Sequence, residues 1–127
     1  MPIKLFVAIP SEFPAELCRP GVEIIYTGVG KVNAAIAATK HLHGHNHDGL
    51  VVLNYGSAGS AARPIHSMLR CKRFQQADMD ARPLAEKYIT PFDQVIHPQL
   101  ENGILVFEEG GILCTTQDTF QPVSYTH

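Results

Sequence analysis

The 127-residue sequence predicts an α/β fold built on a mixed, largely parallel sheet, and three observations carry that expectation. Short apolar runs recur through the first half of the chain. Two of them end in glycine-rich turns, Thr27-Gly28-Val29-Gly30 and Asn54-Tyr55-Gly56-Ser57-Ala58-Gly59-Ser60. An alanine-rich helical segment lies between those turns, so the order is strand, turn, helix, strand, turn. Parallel neighbours need a crossover of this kind, which a hairpin cannot supply.

Residues 5–9 are continuously apolar and rich in β-formers, as a buried strand is; Pro10 and Pro14 forbid its continuation. Residues 22–26 form a second short strand. Residues 31–43 carry helix-forming alanines, with Val32, Ala35 and Ile36 at helical spacing and Thr39 continuing the stripe weakly. Gly44 supplies a stop, and His41 and His43 suit the negative end of the helix dipole. Residues 50–53 form a third buried strand. Further on, residues 67–76 read as a strand carrying Met68, Leu69 and Cys71. Pro91 and Pro98 mark a surface excursion. Residues 104–107 and 112–115 are two more strands, joined by Glu108-Glu109-Gly110-Gly111 as a hairpin turn. One domain over residues 1–121 is expected, with 122–127 as a non-native tail.

Composition narrows the partners. Apolar residues make up 45% of the chain, charged residues 17%, and the formal charge is -2. This is the profile of a globular domain, with no basic patch for nucleic acid and no apolar stretch for a membrane. Three widely spaced cysteines, Cys18, Cys71 and Cys114, form no CxxC pair, which points to reduced thiols in a cytoplasm.

The motifs differ in what they can do. Gly28-Val29-Gly30-Lys31 sits after a strand and before a helix, where free N–H groups receive anions. An ATP loop needs Ser or Thr after the lysine, where Val32 stands, and a dinucleotide loop needs glycine at Asn33. A tight structural turn is the simpler reading. Gly56-Ser57-Ala58-Gly59 leaves room at a strand end for a ligand held by a hydroxyl and backbone amides. It is not the G-x-S-x-G elbow of a serine hydrolase. His41, His43, His45 and His47 diverge around a helix and read as a solvated end rather than a metal site. Asp78 and Asp80 diverge on a helix and align only on a strand, so a water-facing loop is preferred to a cation site. Glu12 gains interest from its place just past the first strand, since chemistry in parallel sheets gathers at strand C-termini.

Taken in order, these blocks resemble the methylthioadenosine/S-adenosylhomocysteine nucleosidases and the wider purine nucleoside phosphorylase superfamily. That family opens with a strand ending in a small-residue turn and a glutamate, as in residues 6–12. A G-[IV]-G-K-V loop and alanine-rich helix follow, as in residues 28–35, then N-x-G-S-A-G, as in residues 54–59. A D-[MV]-D segment corresponds to residues 78–80, and a C-x-T-G-D-S-F-like strand end to residues 114–120, with Gln117 in place of glycine.

The resemblance implies a three-layer α/β/α fold and cleavage of an N-glycosidic bond through an oxocarbenium-like transition state. Glu12 would orient and deprotonate the attacking water, and Ser57 would stand beside that water and the ribose. Gly28, Gly30, Ala58, Gly59 and Asp118 would line the substrate. The implied partners are a purine nucleoside and further copies of the chain, as a dimer or larger, with no metal and no cofactor. The phosphorylases hold phosphate with arginines, one of them two residues before the Gly-Ser pair; Asn54 stands there, which favours water over phosphate. A phosphorylase and a non-catalytic nucleoside-binding module are the alternatives, and a bare scaffold without a ligand is the third. The family's M-E-x-A and S-D segments do not occur, so the chain reads as an N-terminal half that is nearly inactive alone, its full-length parent being the nucleosidase.

Overall fold

The computed structural model describes residues 2–44 and 46–118, and the chain divides into two compact units, residues 1–59 and 60–127. The content is mixed α/β, with one sheet in each unit and few helices.

The first unit holds strands β1 (Ile3–Val7), β2 (Val22–Tyr26) and β3 (Val51–Tyr55), a 3-10 turn (Ala15–Leu17) and helix α1 (Lys31–Leu42). The sheet order is β2-β1-β3 and both pairings are parallel. The central strand, flanked on both sides, carries the core: Leu5, Phe6 and Val7 are buried, joined by Ile25 of β2. Val7 is fully buried, opposite Tyr26 on one side and Tyr55 on the other.

Strand β1 stops at Val7, two residues before the predicted end, because the chain turns there and the Glu12 N–H closes back onto the Ile9 carbonyl at 3.1 Å. Strand β3 begins one residue later than predicted and runs two further, Asn54 and Tyr55 finding partners in Phe6 and Val7. Helix α1 ends at Leu42, and Gly44 follows with φ +74°, the left-handed conformation that stops a helix at little cost to glycine. The Lys4 ammonium donates to the His41 carbonyl at 2.8 Å, satisfying an end group of the helix, and pairs with Glu23 at 3.5 Å. The predicted apolar stripe does not face inward: Val32 and Ile36 are 69% and 60% exposed. The less exposed positions are Lys31, Ala37, Ala38, His41 and Leu42.

The second unit holds β4 (Cys71–Gln76), the short helix α2 (Asp93–Ile96), β5 (Leu100–Glu101), β6 (Ile104–Val106) and β7 (Ile112–Thr116), in sheet order β5-β6-β4-β7. Strand β4 pairs antiparallel with β6 and parallel with β7. Residues 67–70 are not strand; Ser67 turns back with both N–H and hydroxyl on the Pro64 carbonyl. The hairpin expected at Glu108 to Gly111 is also corrected. β6 and β7 lie on opposite sides of β4, so the turn carries the chain across the start of that strand. The passage is tight: a Cβ on Gly111 would lie 2.4 Å from the Lys72 Cβ, and Arg73 Nε donates to the Gly111 carbonyl at 2.7 Å. The true hairpin joins β5 to β6 through Asn102-Gly103, both at positive φ, as the tightest two-residue turn demands. Within the excursion that the prolines announce, Asp93 receives the N–H and hydroxyl of Thr90. The hydroxyl first, and then the N–H, hold its carboxyl below the usual carboxylate range. Among the described residues, no helix is long and apolar enough to cross a membrane.

Candidate active site

Because β1, β2 and β3 run parallel, their C-terminal ends lie along one edge of the first sheet, and the loops that follow them are neighbours. Glu12 lies on the loop after β1 and Ser57 on the loop after β3. The structure brings them together. One carboxylate oxygen of Glu12, Oε2, accepts the Ser57 N–H at 2.8 Å and the Ser57 hydroxyl at 2.7 Å. Gly56 contributes by its size, since a Cβ there would already be in van der Waals contact with that oxygen, at 3.5 Å. Glu12 is half-buried and Ser57 exposed.

Two tyrosines that the sequence reading passed over set the position of Glu12. The Tyr26 hydroxyl donates to the carbonyl of Phe13 at 2.8 Å, and the Phe13 ring meets Tyr55 edge-on, centroids 5.5 Å apart. Both tyrosines are the last residues of their strands, and both stand opposite Val7 in the register. The loop bearing Glu12 is therefore gripped from the strands on either side of its own. The only trace of this in the sequence is a tyrosine closing each of the two strands; the shared row appears once the register is known.

The loop after β2 also borders this edge. Thr27 and Gly28 extend the pairing by donating to the carbonyls of Val7 and Ala8, each at 2.9 Å. Gly28 and Gly30 have φ of +82° and +100°, and Asn33 closes the loop by donating to the Val29 carbonyl at 2.8 Å. Their conformation accounts for both glycines as the parts of a turn, with no ligand required. Ala58 and Gly59 follow Ser57 as exposed residues of the same loop.

The remaining predicted residues lie in the second unit. Asp78 and Asp80 part company: Asp78 accepts the Asp118 N–H at 2.9 Å, and Asp80 takes the guanidinium of Arg82. Asp118 is exposed and anchored through its backbone to the loop after β4. Thr119 and Phe120 of that block, His45 of the histidine run, and residues 122–127 lie outside the described residues. His47 meets the Leu42 carbonyl at 2.7 Å, at the end of α1. Among the described residues, no group of three or more His, Cys, Asp or Glu side chains is placed to hold a metal ion.

Chemically, the first unit offers a carboxylate with one oxygen fixed by two donors and, among the described residues, no partner on Oε1. Such a group is oriented without being consumed. It can accept a proton, and the serine beside it can hold a neighbouring hydroxyl. In comparisons with known proteins, no family model, curated protein or solved structure matches this chain.

Proposed function

We propose that Glu12 and Ser57 form the water-activating half of a site that hydrolyses the N-glycosidic bond of a purine nucleoside. The observation that supports this reading is the double hydrogen bond from Ser57 to one oxygen of Glu12, made between the ends of adjacent parallel strands. Oε1 takes a proton from water as the water's oxygen bonds to the anomeric carbon of the ribosyl cation. The carbon–nitrogen pair leaves with the base, which needs a proton of its own. General-base help of this kind is worth roughly 10²–10⁴-fold, and a general acid for the base as much again. No residue that the resemblance maps onto this chain supplies that acid, so slow turnover follows. The three-layer α/β/α fold, a cytoplasmic setting and assembly of several copies belong to the same proposal.

Water is favoured over phosphate by charge. A carboxylate at the nucleophile position repels a phosphate dianion, and Asn54, where the phosphorylases place an arginine, is neutral and exposed. The test is adenine release from methylthioadenosine by the purified chain in phosphate-free buffer. Slow release is expected, with Glu12→Gln lowering it about 10²-fold or more. Release that requires phosphate would make the protein a phosphorylase. Binding of an adenosine analogue without any release, and indifferent to Glu12→Gln, would make it a nucleoside-binding module.

A further inference from the structure

Two of the three cysteines meet on the second sheet, in a place that the proposed nucleoside chemistry does not use. Cys71 opens β4 and Cys114 is the central residue of β7. In the parallel register Cys71 stands opposite Ile112 and Phe74 opposite Cys114, with an irregularity between Cys71 and Arg73. Residues two apart on a strand share a face, so Cys114 lies on the face of Ile112, and so does Ile112's partner Cys71. The two side chains therefore stand diagonally across neighbouring strands on one face of the sheet, and both are half-buried.

Distance decides what such a pair can do. Strands about 4.8 Å apart with a rise of about 3.3 Å per residue put diagonal partners roughly 8 Å apart at Cα. A disulfide closes only when the Cα atoms are within about 7 Å, so these thiols can touch without being set for that bond. A zinc site asks for four ligands, and among the described residues no third His, Cys, Asp or Glu joins the pair. Two soft sulfurs alone suit a thiophilic ion of low coordination number. Metal–thiolate bonds of about 2.3 Å on opposite sides of an ion span about 4.6 Å, a separation open to neighbouring thiols.

We propose that Cys71 and Cys114 are a two-thiolate site for copper(I). Each thiol gives up its proton and forms one sulfur–metal bond. One ion enters as two protons leave, and no atom changes oxidation state. The site is independent of Glu12 and Ser57, so neither assignment falls with the other.

The experiment is a competition for copper(I) between the full chain and a chromogenic copper(I) chelator, in reducing buffer. The chain is expected to withdraw one equivalent, and Cys71→Ser or Cys114→Ser to weaken that by at least about tenfold. Cys18→Ser, which changes the one cysteine outside the pair, is expected to leave it intact. Retention of full affinity by Cys71→Ser would overturn the proposal. Copper-edge X-ray absorption on the unaltered chain gives a check that no misfolded variant can confuse. Two sulfur neighbours are expected; a third sulfur, or nitrogen or oxygen in their place, would also overturn it.

Discussion

Two carboxylates in this chain show how different the consequences of a double hydrogen bond are. Glu12 receives two neutral donors from Ser57, both on one oxygen, and keeps the other for chemistry. Asp80 is instead clasped by Arg82, whose Nε reaches Oδ1 at 2.8 Å while a terminal nitrogen takes Oδ2. Both oxygens are committed to a fixed charge, which leaves none for a cation or a proton transfer. The side-chain bonds from Arg82 first, then its backbone N–H, lower the Asp80 carboxyl to about 2. Because the folded value lies below the unfolded one of about 3.9, the contact contributes fully above pH 4 and fades as pH falls through 2. Both side chains lie at the surface, so its weight in overall stability is small. A carbon-13 titration of the Asp80 carboxyl is expected to give a midpoint near 2, and Arg82→Gln to return it toward about 3.9. A midpoint unmoved by Arg82→Gln would mean that the guanidinium is not what holds the charge.

At the scale of elements, the crossover from β6 to β7 is the feature with the least room for change. Gly111 passes over Lys72 so closely that any Cβ collides with the β4 side chain, while its carbonyl is held by Arg73. Overpacking of this kind costs about 1–3 kcal/mol. Gly111→Ala is expected to lower the unfolding free energy read from chemical denaturation by that amount; at Gly110 a Cβ would meet nothing within 4 Å, but its φ of +73° strains alanine there on its own account. A Gly111→Ala chain as stable as the unaltered one would mean that the approach to β4 leaves room for a Cβ. The same element shows where sequence reading reaches its limit. Strands β1, β2 and β3 and helix α1 were legible because apolar runs and their glycine or proline stops are local signals. So was the pairing of Glu12 with Ser57, since each sits just past a strand end. Turn residues at Glu108 to Gly111 announce a reversal without saying which strand lies beyond it, so a crossover there has the sequence of a hairpin. Asn102-Gly103 carries the stronger hairpin signal, but the strand before it, β5, is only two residues long and leaves little pattern of its own. The tyrosine grip on Phe13 was invisible for another reason: it depends on register, and register is a property of paired strands.

At the scale of the whole molecule, the balance of buried and exposed apolar surface is the controlling quantity. Among the described residues four apolar side chains are buried, all on β1 and β2, and the second unit buries none. Strand β3 is uncovered on both faces: Val52 and Leu53, which point to opposite sides of the sheet, keep 47% and 46% of their surface. Its outer edge pairs with no strand among the described residues. An edge that is apolar, unpaired and bare on both sides is a template for another chain, and native edges avoid this with charge. The chain is therefore expected to self-associate at micromolar concentration through β3. Val52→Glu places a charge on that edge, opposite Lys4 in the register and away from the buried row at Val7, so it should shift the sedimentation profile toward monomer while leaving the circular-dichroism spectrum unchanged. If association persists in Val52→Glu, the contact lies elsewhere. The second unit's exposed Phe92 and Val95, 76% and 80% accessible, then become the surface to change next.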